Sequence, residues 1–501
     1  MLPLFVAIPL GVGFLLPLIE EFRDRTRLFS VFVLLETGGL LALSLIKFGD
    51  KGIYRMGGWA PPFGINFVQD GLTSLILVVI SGIAFVTTLF AITYMKEYEN
   101  LGRFYGLFSL MLAGMYGVAL TGDIFNMYVY LEVAAISSYA LVGFNRGAEE
   151  IEASFKYLIM GAVGSVFILL GIALLYGSVG SLNIADISVK VSELPNDSFI
   201  VLSTALFIVG FGLKAAFIPF HSWLPDAHSS APTPISAMLS GVLIKVLGIY
   251  ALARLLFNGL NLPGVAPSIL TWIGAGSMFI GGMIALGQKD LKRLLAYSSI
   301  SQMGYITLAV GMGGILINQG KPGIATLALM GGIFHLVNHA TYKSLLFLFS
   351  GSVEKIFGSR DLSEIGGLNS ISPVSGATGT IGTLSISGVP PFNGFWSKLV
   401  IVIAAIWGKL YPLAGIILFT SAITLAYYLK VQRQLFMGKP TKKASELTKT
   451  SAGLYIPLII LAICCIGLGL LYLPEIRGLV LKPAALALQE GSEYTKLVLG
   501  L

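Results

Sequence analysis

Charged side chains stand inside long apolar stretches of this sequence, where they could carry ions. Glu132 lies in the middle of the apolar run 123–144, with no basic residue within one helical turn. A charge at the centre of a bilayer costs about 2.5–3.5 kcal/mol on insertion scales, so such groups persist where they pair, line water or work. Glu132 therefore indicates a carboxylate on an ion path, with a structural ion pair to another helix as the alternative.

Two lysines have a similar position deep in apolar runs. Lys214 lies five residues before Pro219, which should break its helix and free carbonyl groups that can hold water or a proton donor. Lys245 lies in the apolar run 240–250. Burial disfavours the charged form of an ammonium group, so a lysine that is neutral part of the time could carry a proton. The alternative for either lysine is snorkelling towards a helix end.

A third group of titratable residues is spaced at helical intervals. His335, His339 and Lys343 follow one another at i, i+4 and so share one face of a helix. Three such groups in a stripe indicate a polar channel. A metal site is the alternative, but two imidazoles without a carboxylate on the same stripe make a poor ligand set. A membrane acyltransferase that uses either histidine would want the same missing carboxylate.

The segment SGVPPFNG (387–394) predicts a second helix break that contains prolines. Pro390 and Pro391 cannot both sit inside a regular helix without loss of backbone hydrogen bonds. Such a break survives in a membrane only where protein or water covers the backbone. Lys398 follows this break, which mirrors the lysine placed beside Pro219.

Other polar residues are expected to be structural. His221 and His228 flank the first break, either as caps of helix ends or as relay members, and Asp123 is expected to be an exposed helix cap. Cys464 and Cys465 are adjacent in an apolar run and show no metal or iron–sulfur spacing. No glycine-rich stretch follows a strand as nucleotide-binding loops do. No cofactor and no bound metal are therefore expected in this chain.

The elements that must position these residues follow from composition. Of 501 residues 55% are hydrophobic and 11% are charged, which leaves too few polar side chains to cover a soluble domain. A helical span needs about 20 apolar residues, which predicts an all-α integral membrane protein with about 14 transmembrane helices. The expected spans are 2–19, 28–46, 70–94, 103–122, 124–144, 153–176, 199–220, 235–256, 267–287, 294–317, 324–350, 374–408, 411–432 and 453–473.

The basic residues indicate an orientation rather than a nucleic-acid partner. The net charge of +7 is spread through short loops, as the positive-inside rule requires of a membrane protein. The segment 430–449 holds six basic residues and is the strongest indication of a cytoplasmic loop. We therefore expect a multi-pass protein of the cell membrane, with both termini outside and lipid around it.

Four motifs make the sequence resemble a known family. FGLKAAFIPFHSWLPDAHSSAPTPISAMLSGVLIK (211–245), DLKRLLAYSSISQMGY (290–305), NHATYKSLLFLFSGSV (338–353) and GVPPFNGFWSK (388–398) are similar to segments of the antiporter-like subunits of respiratory complex I, Mrp-type cation/proton antiporters and membrane-bound hydrogenases. The likeness extends from about residue 65 to 435. It implies fourteen helices that contain two five-helix repeats of inverted topology, each with one broken helix.

The resemblance also implies a division of the chain and a length class. The expected parts are three N-terminal helices (1–102), a first repeat (103–258), a second repeat (259–435) and a C-terminal helix with a tail (436–501). Because few residues follow 473, the long lateral helix of the largest family members is not expected. The sequence therefore resembles the shorter type found in Mrp antiporters and membrane-bound hydrogenases.

The expected proton relay combines the buried groups with the family pattern. Its members are Glu132, Lys214, Lys245, His335, His339, Lys343 and Lys398. By resemblance, Glu132 and Lys214 match the family's carboxylate–lysine pair, and Lys245 matches its central lysine. The two histidines match those of a later helix. Lys398 matches a terminal lysine at which some family members carry glutamate.

The resemblance implies a proton-translocating subunit of a multisubunit complex. Its partners would be other membrane subunits, joined by peripheral iron–sulfur or nickel–iron subunits if the complex is redox-driven. Two alternatives stay open: a Na⁺/H⁺ antiporter subunit of a dedicated Mrp complex, and a free-standing secondary solute transporter. An anionic solute would call for arginines within spans, whereas every arginine here is expected at a loop or a span end.

Overall fold

The computed structural model describes residues 1–22, 26–194, 197–262, 264–437 and 452–500 of the chain. Within these ranges eleven helical segments are long and apolar enough to cross a membrane. Three shorter apolar helices accompany them: Leu4–Glu20, Ser198–Lys214 and Asn393–Trp407. The chain is therefore a multi-pass membrane protein whose candidate spans are helices.

The first third of the chain forms six helices and a small hairpin. The helices are α1 (Leu4–Phe22), α2 (Thr26–Ile46), α3 (Gly71–Tyr94), α4 (Leu101–Leu120), α5 (Ile124–Val142) and α6 (Ala148–Val179). Strands β1 (Gly52–Arg55) and β2 (Asn66–Gln69) lie between α2 and α3 and pair antiparallel. The hairpin therefore leads directly into the start of α3.

The middle of the chain contains the first interrupted helix and the longest helix. Its helices are α7 (Ile184–Glu193), α8 (Ser198–Lys214), α9 (Trp223–Ser230), α10 (Thr233–Met238), α11 (Ala251–Asn258), α12 (Ala266–Gly287), α13 (Leu291–Asn318) and α14 (Pro322–Phe357). Helix α14 has 36 residues. It packs against α3, α10, α13, α16, α17, α19 and α21. It is therefore the helix around which much of the second half is arranged.

The last part of the chain contains the second interrupted helix and a folded tail. Its helices are α15 (Leu368–Ile371), α16 (Pro373–Ser387), α17 (Asn393–Trp407), α18 (Tyr411–Val431), α19 (Ala452–Gly467), α20 (Pro474–Leu479), α21 (Leu481–Gln489) and α22 (Gly491–Leu499). Helix α21 packs on α3 and α14, and α22 packs on α7. The tail after residue 473 thus folds back onto the helical body.

Aspartates begin several of the membrane helices. Asp70, Asp123, Asp197 and Asp290 each accept a hydrogen bond from a backbone N–H of the first turn of α3, α5, α8 and α13. Such N-caps satisfy donors that the helix itself leaves unpaired. Asp123 is the cap expected from the sequence, but it is only 9% exposed, because β2 and the start of α7 cover this end of α5.

The two proline segments interrupt helices in the structure. Helix α8 ends at Lys214, and α9 starts at Trp223. The helix therefore stops earlier than the expected span 199–220, because Ala216 has a left-handed backbone (φ 56°). In the second break, α16 ends at Ser387 and α17 starts at Asn393. The expected span 374–408 is thus two half-helices.

The helix that carries Lys245 is not a regular α-helix. Between α10 and α11 the chain forms π-helical turns over Leu239–Leu243 and Lys245–Tyr250. The expected span 235–256 shows apolar residues throughout and gives no sign of this change. Wider turns of this kind are rare, and they often mark functional sites.

Glycines allow close contact between α12 and α13. A Cβ at Gly274 would lie 2.4 Å from the Leu308 nitrogen, and one at Gly304 would lie 2.4 Å from the Met278 nitrogen. Small residues at membrane helix contacts bring backbones together in this way. The tight pair fixes the position of α13, which faces the titratable stripe of α14.

Candidate functional site

Glu132 and Lys214 form an ion pair between α5 and the end of α8. Lys214 Nζ lies 3.3 Å from Glu132 Oε1, and the two side chains are 3% and 24% exposed. Ser165 of α6 donates a hydrogen bond to the same Glu132 oxygen. Lys214 also donates to the Tyr139 hydroxyl at 3.2 Å. The basic partner that Glu132 needs is therefore present, and it comes from the interrupted helix.

The first break is closed by protein groups. The Trp223 indole donates to the Leu213 carbonyl at 3.1 Å, and Ile218 N–H donates to Ser277 Oγ at 3.0 Å. The Trp223 ring stacks on Tyr157 at 4.1 Å between ring centroids. Since Leu213 directly precedes Lys214, Trp223 fixes the backbone on which the ion pair depends.

Lys245 is bound to its own helix. It is 1% exposed, and its Nζ donates to the Ser240 carbonyl and to the Gly241 carbonyl, the latter at 2.6 Å. The described residues provide no carboxylate in salt-bridge contact with it. The Lys245 amino group is therefore buried and held by carbonyl oxygens of the π-helical segment.

Two glycines on either side of Lys245 bring it close to other members of the set. A Cβ at Gly248 would lie 2.5 Å from the Cβ of Ala215, the residue after Lys214. A Cβ at Gly241 would lie 2.2 Å from Oγ of Ser344, the residue after Lys343. The helix of Lys245 thus lies between the first break and α14.

The stripe on α14 is completely buried. His335, His339 and Lys343 are each 0% exposed. His335 Nδ1 lies 2.9 Å from Ser397 Oγ on α17, and its Nε2 lies 3.1 Å from Gln302 Oε1 on α13. The His335 and His339 rings are 6.5 Å apart between centroids.

The other two members of the stripe differ in their contacts. Lys343 donates to the Leu295 carbonyl at 2.6 Å and to Ser298 Oγ, both on α13. Neither ring nitrogen of His339 has a hydrogen-bond partner within the described part of the chain. His339 is therefore the least constrained of the three.

Lys398 is placed across the second break. Its Nζ donates to the Ile386 carbonyl of α16 at 2.9 Å and lies 5.0 Å from the Tyr305 ring centroid. The Tyr305 ring in turn lies 5.3 Å from that of His335. Lys398, Tyr305 and His335 therefore form one contiguous group.

Several buried polar residues were not singled out from the sequence. Arg254 is 2% exposed and makes a two-pronged bond to Asp70 at 2.7 and 2.9 Å. The sequence placed arginines at loops or span ends and did not predict that Arg254 is buried. It is buried because Tyr494 of the folded tail covers it. Since Asp70 occupies its guanidinium, Arg254 offers no free site for an anionic solute.

Lys292 was not singled out because it lies just before the expected span 294–317, and His228 was expected either as a cap of a helix end or as a relay member. Lys292 is buried at the start of α13, with its Nζ 3.6 Å from Glu354. His228 is 0% exposed, and its ring stacks on Phe347 at 4.8 Å between centroids. His228 is therefore a buried core residue of the fold.

The fold and these buried groups define an antiporter-like, multi-pass membrane protein. Residues 121–424 match the family described as "NADH:quinone oxidoreductase/Mrp antiporter, TM". Residues 59–105 match "NADH-Ubiquinone oxidoreductase (complex I), chain 5 N-terminus". The chain belongs to this family of complex I and Mrp antiporter membrane subunits, which confirms the resemblance of the motifs.

Individual relatives cover the whole described fold. The chain is 32% identical over 486 residues to "NADH-quinone oxidoreductase subunit N" of Desulforudis audaxviator, which covers 94% of each chain. It superposes with a TM-score of 0.89 at 28% identity on a chain of the Mrp complex from Dietzia sp. DQ12-45-1b, over 100% of this chain and 99% of that one. A chain of the membrane-bound sulfane sulfur reductase, an archaeal respiratory membrane complex, gives a TM-score of 0.87 at 32% identity over 99% of both.

Proposed function

We propose that this chain is the proton-translocating, antiporter-like subunit of a multisubunit membrane complex. The observation that carries the proposal is the Glu132–Lys214 ion pair, in which the lysine is the last residue of an interrupted helix. A side chain at a helix end can change partner without unfolding the helix. The pair can therefore open and close during transport.

Lys245 would control that pair. Its helix contacts the residue after Lys214 through Gly248. A proton that arrives on Lys245 would disfavour the protonated form of Lys214 by like-charge repulsion. The contact between Lys214 and Glu132 would loosen, which would pass the change to α5 and its neighbours.

The second half of the relay would run along α14. Lys343 directly precedes Ser344, which contacts the helix of Lys245 at Gly241, and His335 adjoins Lys398 through Tyr305 and Ser397. Proton transfer needs donors and acceptors within hydrogen-bond reach, directly or through one water. The ring nitrogens of His339, which have no partner among the described residues, suit a transfer through water between the two ends of the stripe.

The family architecture supports the expected division of the chain. Each of the fourteen expected spans overlaps one of the long or short apolar helices. We assign 1–102 to three N-terminal helices, 103–258 and 259–435 to two inverted repeats, and 436–501 to the C-terminal part. Each proposed repeat holds one interrupted helix, and a repeat with five helices reverses its topology. Both termini then lie outside the cell.

The partners of the chain follow by analogy with its relatives. Matching chains come from a complex named Mrp and from a complex named as a sulfane sulfur reductase. We propose other membrane subunits as neighbours, with iron–sulfur or nickel–iron groups confined to peripheral partners in a redox-driven complex. A dedicated Na⁺/H⁺ antiporter is the second candidate, favoured by the Mrp superposition.

Proton movement in vesicles that contain the intact complex tests the proposal. Lys245→Ala should abolish acidification driven by the complex. Lys190→Ala, at a half-buried lysine paired with Asp186 on α7, should leave it unchanged. Wild-type acidification by an assembled Lys245→Ala complex would refute the proposal. Replacing sodium with potassium in the buffer separates the two candidates, since a dedicated antiporter would stop without sodium.

A further inference from the structure

A buried carboxylate lies outside the proposed relay, in the N-terminal helices. Glu36 is the eleventh of the 21 residues of α2, and it is 6% exposed. Its middle position places it at the depth of the hydrocarbon core, since a helix of this length just spans that layer. None of the relay members forms a hydrogen bond or ion pair with it in the described structure.

The contacts of Glu36 are few. Its Oε2 accepts a hydrogen bond from Ser109 Oγ on α4 at 2.7 Å. Its Oε1 is buried and has no hydrogen-bond partner within the described ranges. The carboxyl group therefore has one polar neighbour among the described residues.

Among the described side chains, no cation of the packed helices reaches Glu36. Helix α2 packs against α1, α3 and α4, and α3 contains no charged residue. The one basic residue of α4, Arg103, is largely exposed and lies 4.0 Å from Glu20 of α1. Arg27 stands nine residues before Glu36 on α2, which is about 13 Å along a helix.

The remaining titratable neighbours of α2 carry no positive charge. Among the described side chains, helix α1 contributes Glu20, α3 contributes Tyr94, and α4 contributes Tyr105 and Tyr116. The Tyr116 hydroxyl is engaged with Ser81 Oγ of α3 at 2.7 Å. Within the described part of the chain, a single serine hydroxyl is therefore all that stabilises a negative charge on Glu36.

Glu132 provides the matched case. It is the ninth of 19 residues in α5 and also bonds a serine, Ser165, but it has the ammonium group of Lys214 in addition. An unpaired buried charge costs several kcal/mol, whereas one unsatisfied carbonyl oxygen costs about 1–3 kcal/mol. At similar depth, Lys214 therefore favours the ionised form of Glu132, whereas the surroundings of Glu36 favour its neutral form.

We propose that Glu36 is held as the neutral carboxylic acid and forms a proton-binding site in the N-terminal helices, separate from the relay. The ligand of this site is one proton. It is bound covalently to Oε2, and the resulting O–H donates a hydrogen bond to Ser109 Oγ. The observed 2.7 Å separation suits an O–H···O bond in either direction. Oε1 then remains as an uncharged carbonyl oxygen.

Infrared spectroscopy of the whole complex in lipid nanodiscs tests this site. At neutral pH the wild-type spectrum should contain a carboxylic-acid C=O band that Glu36→Gln removes and Glu132→Gln retains. If Glu36→Gln instead removes carboxylate intensity and leaves the acid region unchanged, Glu36 is ionised and the proposal fails.

Ser109→Ala keeps the test decisive if Glu36→Gln does not assemble. Loss of the serine should shift the C=O band of the acid, because its hydrogen-bond partner is gone. A spectrum in which no acid band moves would overturn the proposal. Proton transport by the relay does not enter either readout, so this inference can fail while the proposed function stands.

Discussion

Lys398 Nζ donates a hydrogen bond to the Ile386 carbonyl at 2.9 Å, and this bond ties α17 to the last turn of α16 across the second break. The same ammonium group faces the Tyr305 ring of α13 at 5.0 Å from its centroid. The Lys398 side chain thus donates to a carbonyl group that the break leaves without a helical partner, and it also lies beside the histidine stripe of α14.

Lys398→Met should therefore affect both stability and transport. It removes the donor from a buried carbonyl group, which costs about 1–3 kcal/mol. We expect a lower melting temperature of the complex in detergent and loss of proton transport in vesicles. Lys496→Met, at a side chain that is 57% exposed, is the control. Equal melting temperatures for the two variants would contradict the prediction.

Glu132 and Lys214 should behave as a coupled pair. Loss of a proton-transfer group costs about 10²–10⁴-fold in rate, so Lys214→Ala should lower transport by at least about 100-fold without preventing assembly. With Glu132→Gln as the second change, a double-mutant cycle on stability should give a coupling energy of about 0.5–3 kcal/mol. Additive effects would mean that the 3.3 Å contact does not contribute.

Gln302 should orient His335 for transfer. Its amide oxygen lies 3.1 Å from His335 Nε2, so Gln302→Leu leaves that ring nitrogen without a partner on α13. We expect slower proton transport in an assembled complex, measured by the initial rate of acidification in vesicles. Gln288→Leu, at a half-buried glutamine that bonds Ile284, is the matched change. A rate like that of Gln288→Leu would show that the amide is dispensable.

Gly248→Ala should disturb the spacing between Lys245 and Lys214. The added methyl group would meet the Cβ of Ala215 at 2.5 Å, and overpacking of this kind costs about 1–3 kcal/mol. We expect reduced thermal stability together with reduced transport. Gly276→Ala, which has nothing within 4 Å of the added group, should change neither. If both variants match the wild type, the contact is looser than the structure places it.

The sequence could predict depth and interruption, since both depend on local patterns. The apolar run around Glu132 indicates that the carboxylate lies in the membrane. The prolines at 219, 390 and 391 predict where regular helices are interrupted. Residue types could also predict that Glu132 needs a cation. The helix that supplies it depends on tertiary packing.

Other features depend on contacts between distant segments. The π-helical turns around Lys245 have no signature in an apolar run, and the burial of Arg254 requires the tail that carries Tyr494. Nothing in the sequence around Gln302 or Trp223 predicts a role in the site. Their roles follow from hydrogen bonds to His335 and to the Leu213 carbonyl, which form only in the folded chain. Hydrogen bonds between remote helices thus decide which polar residues belong to the site.

The uninterrupted course of α14 has a mechanical consequence. At 36 residues it is about 54 Å long, so it extends past a hydrocarbon layer about 30 Å thick. His335 engages α17 and Lys343 engages α13 from this one rod. Any twist of the rod about its axis changes both engagements at once. A rotation of α14 would therefore change the contacts at both ends of the stripe together.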